Sequence, residues 1–164
     1  STGTAKRWFP KITISNFCLM IGRLIANKTF GRGLRLFIAV VLLTTGLGKA
    51  LDIPGFVEVL ITYQALADWM LYPVALGMTA TELIISFWLF SGRLVFWAAL
   101  ASLGLHVVFT LWTAVTFLRG LDIPNCGCFG VFFARPLDGW TIVEDLVMVA
   151  FSRLLIVSSR MDKK

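Results

Sequence analysis

Cys126 and Cys128 stand one residue apart in the stretch Asn125–Gly130, NCGCFG. Two thiols at that spacing can close a disulfide, contribute to a metal site, or merely pack a tight turn. A ring closed across one intervening residue is small and strained, and strained disulfides are the labile, more oxidising ones. Gly127 lacks a Cβ and tolerates the backbone angles such a ring needs. A stapling role fits poorly, because closing so short a loop removes little chain entropy. A metal site fits worse, since tetrahedral sites take four protein ligands, or three and a water. Redox use therefore ranks first, a tight turn with idle thiols second, and metal binding last. Phe129 and Gly130 complete the turn, the glycine permitting a tight backbone and the phenylalanine able to dip into an apolar interface.

Other residues that could do chemistry interrupt long apolar runs. Glu82 and His106 each fall near the middle of one, and ionisable groups at such positions are costly and are functional candidates. Together they suit a proton relay or a polar pocket for a quinone. A plain hydrogen bond joining two helices is the favoured reading. The chain has one histidine, which excludes a haem held by two. Lys49 ends another apolar run, from which it can snorkel. Asp145 could pair with Lys49 or with Arg119. A cation such as Arg119 near the cysteines would favour a thiolate, although holding lipid phosphate is its commoner use.

The elements that must position these groups follow from composition. Of 164 residues, 58% are hydrophobic, with six Trp and fourteen Phe, well above the ~45–50% usual for soluble domains. A soluble core of this length could not hide so much apolar surface, so the expected class is an all-α integral membrane protein. Crossing about 30 Å of hydrocarbon takes about 20 apolar residues, and four stretches qualify: 34–50, 69–90, 94–118 and 140–159. The fourth is the least apolar, carrying Glu144, Asp145 and Arg153. All of the fifteen Lys and Arg residues except Lys49, Arg119 and Arg135 fall on one side of these spans. Basic loops stay in the cytoplasm, so both termini are expected there, in a bacterial inner membrane, with the CGC motif facing the periplasm. That compartment is oxidising and lets a disulfide persist. Cys18, across the membrane, is expected to be a reduced thiol, and the outer side offers no histidine or third cysteine to complete a metal site.

The chain divides into a basic N-terminal extension (1–33), a four-helix membrane domain (34–159) and a basic tail (160–164). No compact apolar core of signal-peptide type opens the sequence. Residues 14–30 and 53–66 mix apolar and polar side chains at helical spacing and read as interfacial helices, one on each side. LDIP occurs at both 51–54 and 121–124, a faint trace of a two-plus-two repeat. Pro124 restricts Ile123 to extended angles and is expected to end the third span's helix.

Taken together, span one with GLGKALDIPGF at its end, TELIISFWLFSGR in span two, RGLDIPNCGCFG after span three and Asp145 in span four resemble the MauE/DoxX family of redox-associated membrane proteins. The resemblance covers about residues 34–157. It implies a four-helix bundle and thiol–disulfide exchange at Cys126 and Cys128. It also implies a thioredoxin-like partner and service to the maturation of a periplasmic redox protein. Lys49, Glu82, Arg119 and Asp145 would then be supporting polar groups. The sequence leaves open whether the chain is itself an enzyme, and names no cofactor beyond a candidate quinone. One cysteine pair cannot run the complete two-pair relay of quinone-linked disulfide generators. The competing expectation is a non-catalytic subunit of a larger respiratory or photosynthetic membrane complex, docked through its aromatic surface and basic extension.

Overall fold

The computed structural model describes residues 27–161. Residues 1–26 and 162–164 lie outside them, and so do Cys18 and most of the expected interfacial helix at 14–30. Five helices make up the described chain: α1 (Lys28–Ala50), α2 (Ile53–Thr62), α3 (Asp68–Ser91), α4 (Val95–Leu118) and α5 (Gly139–Met161). Local chemistry sets their limits. Asn27 caps α1 by accepting from the Thr29 amide at 2.9 Å, so this helix begins well before the expected residue 34. Asp52 caps α2, accepting from the Gly55 amide at 2.9 Å, and Pro54 sits in that first turn, where its missing N–H costs nothing. Asp138 caps α5 by accepting from the Thr141 amide at 3.0 Å. α4 ends at the expected residue, but not through Pro124. The helix stops at Leu118, and Gly120, at φ +66°, turns the chain out before Pro124 is reached.

At 23–24 residues, each long helix measures about 35 Å. Three of them, α1, α3 and α4, are long and apolar enough to cross a membrane. The charges of α5 keep it out of that set, although its length is the same.

Packing follows the same logic. On α3 the polar Thr79, Glu82 and Ser86 are buried, while Leu76, Ile84 and Phe87 are exposed. Polar groups inside and apolar groups outside is the pattern a lipid solvent selects. α1 packs along α3 and α4 along α5. Contacts of α1 with α5 and of α3 with α4 close a four-membered ring. Gly46 lets α1 approach α3, since a Cβ there would meet Leu83 and Glu82. The Ser86 hydroxyl donates across the same seam to the Ala39 carbonyl at 2.8 Å.

Two apolar cores result. One, around Ile38, Leu42, Leu89 and Leu155, fills the end that holds the α3–α4 turn. The other, around Phe56, Leu60, Tyr63, Ile123 and Leu137, joins α2 and the α4–α5 loop at the opposite end. The two LDIP copies differ in structure: the first opens α2, whereas the second enters an extended segment whose Ile123 carbonyl accepts from the Leu137 amide at 2.9 Å.

Candidate functional site

The α4–α5 loop folds back on itself and lays the CGC turn against the ends of α1 and α2. Asn125 shapes the turn from within. Its Oδ1 accepts from the Gly127 amide at 2.9 Å and its Nδ2 donates to the Gly130 carbonyl at 3.2 Å. Gly127 and Gly130 adopt φ +70° and +69°, angles that side-chain-bearing residues avoid. Gly130 also has no room for a Cβ, which would strike the Gly48 carbonyl, just as one on Gly48 would strike the Phe129 carbonyl. The glycines of GLGK and CGCFG therefore meet backbone to backbone. Gly130→Ala should cost about 1–3 kcal/mol and misplace the cysteines. Gly33→Ala, in open helical surface, should leave stability unchanged or slightly raised. Paired thermal melts check both; equal melting points for the two variants would remove the close-packing account.

Each cysteine is held by its carbonyl. The Tyr63 hydroxyl donates to the Cys126 carbonyl at 2.7 Å, and Lys49 Nζ donates to the Cys128 carbonyl at 3.0 Å. Burial pushes the Tyr63 phenol well above its usual range, so it remains a donor. The Cys126 amide donates to the Arg135 carbonyl at 2.7 Å. Cys126 and Cys128 are free thiols with sulfurs 2.7 Å apart, in place for the ~2.05 Å bond that loss of two electrons would form.

Either thiol could donate to the other, but the surroundings favour Cys126 as the acceptor. The Cys128 amide also points at Cys126 Sγ, at 3.4 Å. The hydrogen bond from Cys128, aided by the nearby Arg135 cation, lowers the Cys126 thiol to about 6, while the same hydrogen bond and burial raise Cys128. In the reduced pair the first thiolate is thus Cys126, with Cys128 keeping its proton. Alkylation of the reduced protein should rise through pH about 6. Cys128→Ala should move that midpoint up toward the ordinary ~8.5, and Arg135→Ala should move it up by less. A wild-type midpoint above 8 would contradict this assignment.

Behind the turn lies a buried ion pair. Lys49 Nζ reaches both Glu82 carboxylate oxygens, at 2.7 and 2.9 Å. With the Cys128 carbonyl, all three ammonium donors are used. Lys49 is 2% exposed and Glu82 fully buried. The expectation that Lys49 snorkels is therefore corrected: its charge turns inward because a carboxylate waits on the neighbouring helix. The Phe56 and Phe109 rings flank the ammonium at 5.5 and 5.8 Å, adding cation–π attraction.

The remaining candidates are placed elsewhere. His106 does not meet Glu82. Its Nδ1 lies 2.7 Å from the Ser102 carbonyl, which can only accept, so Nδ1 carries the proton. Ser102 joins α5 through Ser152 Oγ at 3.0 Å. Asp145 pairs with neither Lys49 nor Arg119 but accepts from the Thr113 hydroxyl at 2.9 Å. Arg119 holds the Tyr63 and Gln64 carbonyls just past α2, at 2.8 and 3.1 Å, and so is engaged away from the sulfurs. The cation that does act on Cys126 is Arg135, itself paired with Glu144 on α5. Arg135 was legible only as a charge directly after the motif. Tyr63 gave no signal, and Thr113 gave one only in retrospect, as a hydroxyl facing a half-buried acid.

A cavity of about 490 Å³ runs between the two apolar cores, and Lys49, Glu82, His106, Cys126, Cys128 and Asp145 all line it. Both cysteines thus line a largely apolar chamber that also carries several polar groups. Such a pair can accept or release two electrons as disulfide or dithiol.

Known proteins give two points of comparison. The family described as methylamine utilisation protein MauE matches residues 27–158. A methylamine utilization protein MauE from Paracoccus denitrificans is 29% identical over 119 residues. That alignment covers 73% of this chain and 64% of the relative, so the chain spans less than two thirds of the relative's length. No solved structure matches.

Proposed function

The chain belongs to the MauE family, and from that premise we propose that it exchanges thiols and disulfides at the outer face of the inner membrane, through Cys126 and Cys128. The observation that carries the reading is the clamped pair, with sulfurs 2.7 Å apart and both carbonyls held by bundle side chains. An idle turn has no need for a buried ion pair to fix its carbonyl, nor for a backbone amide aimed at one sulfur. The relatives carry methylamine utilisation in their name. For this chain we infer the broader role of serving the disulfides of a periplasmic redox protein, with a thioredoxin-like partner as the other party.

We read α5 as a fourth span. It matches the other long helices in length, packs along α4, and keeps Asp145 bonded inward to Thr113. Lys28, Arg32 and Arg35 line a pocket with Gly92 at the end of the bundle opposite the cysteines, which supports a cytoplasmic location for that end.

In the exchange step, a partner thiolate attacks one sulfur of the Cys126–Cys128 disulfide, a mixed disulfide forms, and the other sulfur leaves as thiolate. The partner's second thiolate then displaces its first, so the partner ends oxidised and the pair ends as a dithiol. Cys126 is the better leaving group, since its thiolate has a hydrogen-bond donor and a cation beside it. Attack therefore falls on Cys128, the less buried of the two. The test is an assay of purified protein, oxidised and held in lipid discs, against a reduced thioredoxin-like domain. Loss of partner thiols matched by gain of thiols on this chain is expected. No transfer by wild type, or equal transfer by the Cys126→Ser/Cys128→Ser double variant, would end the proposal. Topology is checked separately: a membrane-impermeant maleimide should label the reduced CGC pair from the periplasmic side of intact spheroplasts, and labelling only after lysis would reverse the orientation.

A further inference from the structure

The cavity is not sealed by the bundle. At the basic end α1 and α5 touch closely, through Gly31 against Ser158 and the edge-to-face rings of Phe37 and Phe151 at 5.6 Å. Toward the loop end the chamber lies between these two helices, and several of its lining residues are also exposed on the apolar outer surface. Val143 and Val147 of α5 are 44% and 43% exposed, yet both line the cavity. The opening therefore faces the side of the bundle that lipid covers.

We propose that this mouth between α1 and α5 admits a membrane-borne quinone, and that the quinone is the electron acceptor that returns the Cys126–Cys128 dithiol to the disulfide. The inference rests on the exchange reading above and adds what regenerates the pair. The volume, about 490 Å³, falls within the ~300–1,000 Å³ typical of small-molecule sites. Phe56, Phe109 and Trp112 provide aromatic wall for a planar ring. Thr45, His106 and Arg135 line the same space with polar groups suited to ring oxygens. A lipid acyl chain would match the apolar mouth, but it would leave those polar groups and the thiols facing hydrocarbon, which is unfavourable. A water-soluble acceptor would gain nothing from an entrance in the lipid-facing wall. A tailed quinone suits both ends, its ring at the sulfurs and its tail trailing through the mouth. The electrons balance: two thiols lose two electrons and two protons, one S–S bond forms, and the quinone becomes a quinol.

The experiment uses the reduced protein in lipid discs with decylubiquinone as the probe, following quinol by absorbance and thiols by titration. About one quinol per chain and the loss of two thiols are expected. Val147→Trp, which narrows the mouth, should slow this reoxidation about tenfold or more, whereas Val157→Trp, exposed on α5 outside the cavity lining, should not. The rate of exchange with the thioredoxin-like domain should be the same for all three proteins. If wild type exchanges with that domain but quinone leaves its thiols reduced, the quinone site is wrong and the exchange function stands. If quinone oxidises wild type and Val147→Trp equally, entry between α1 and α5 is overturned. A protein that exchanges with nothing fails the earlier proposal instead.

Discussion

Replacing Lys49 with methionine should destabilise the bundle by about 3–5 kcal/mol and slow thiol exchange severely. Two consequences combine. Glu82 is fully buried, and removing its partner leaves an uncompensated carboxylate, a far larger loss than breaking a surface pair. The Cys128 carbonyl also loses its donor, so the turn is free to drift from the position that holds the sulfurs together. These effects can be separated. A buried ion pair replaced on both sides by apolar residues of similar size is often close to neutral in stability. Lys49→Met/Glu82→Leu should therefore recover most of the melting temperature lost in Lys49→Met. It should not recover exchange, because no donor returns to the Cys128 carbonyl. Full recovery of both would make Lys49 a structural residue alone. A single variant as stable as wild type would mean that the pair is not buried as described.

The second large effect is an asymmetry between the two cysteines. Cys126→Ser leaves Cys128, the sulfur that receives the partner, without the neighbour that resolves the mixed disulfide. Given a partner domain whose single reactive cysteine carries a thionitrobenzoate mixed disulfide, this variant should displace thionitrobenzoate and accumulate a cross-linked species that reducing agent abolishes. Cys128→Ser leaves only the buried Cys126 and should accumulate much less. The ratio should be about tenfold or greater, since Cys126 is buried and Cys128 partly exposed, and removing Cys128 also takes away the hydrogen bond that makes Cys126 acidic. Non-reducing electrophoresis with mass spectrometry of the adduct reads it directly. Equal trapping at both positions would remove the assigned order of attack, and preferential trapping at Cys126 would invert it. Both variants should abolish net oxidation of a two-cysteine partner.

The architecture was largely open to reading because lipid imposes simple demands. Apolar runs near 20 residues mark helices, and the helix limits at Asp68–Ser91 and Val95–Leu118 lie within a residue of the hydropathy limits. The start of α1 was missed by six residues because Lys28, Arg32 and Arg35 lower the hydropathy of its first turns, while Asn27 caps the helix regardless of charge. The end of α4 was assigned to Pro124, whose effect on its predecessor is a rule of the chain alone. Gly120 acts earlier by taking a left-handed angle, an option glycine always offers and no sequence rule forces.

Which residues gather was partly legible, and how they pair was not. Lys49, Glu82, His106, Cys126, Cys128 and Asp145 all line one cavity, as intramembrane polar groups converge for want of water. Their pairings depend on helix rotation, which spacing alone does not fix. Depth along the helices suggested Glu82 with His106; rotation gave Glu82 to Lys49 and turned His106 toward Ser102 and Ser152. Arg135 takes the part expected of Arg119 for a similar reason. Both flank the loop, and only its fold-back decides which one lies beside a sulfur.

The central claim is that Cys126 and Cys128 cycle between disulfide and dithiol in the membrane. The most direct measurement is differential alkylation of the chain in intact cells, with acid quenching and mass spectrometry of the peptide that carries both cysteines. A mixture of the two states is expected, shifting toward dithiol when partner thiols are supplied and toward disulfide when they are withdrawn. A periplasmic protein should also accumulate with reduced cysteines in the Cys126→Ser/Cys128→Ser strain. A pair that stays in one state under every condition, with no periplasmic protein changing its thiols in that strain, would contradict the claim.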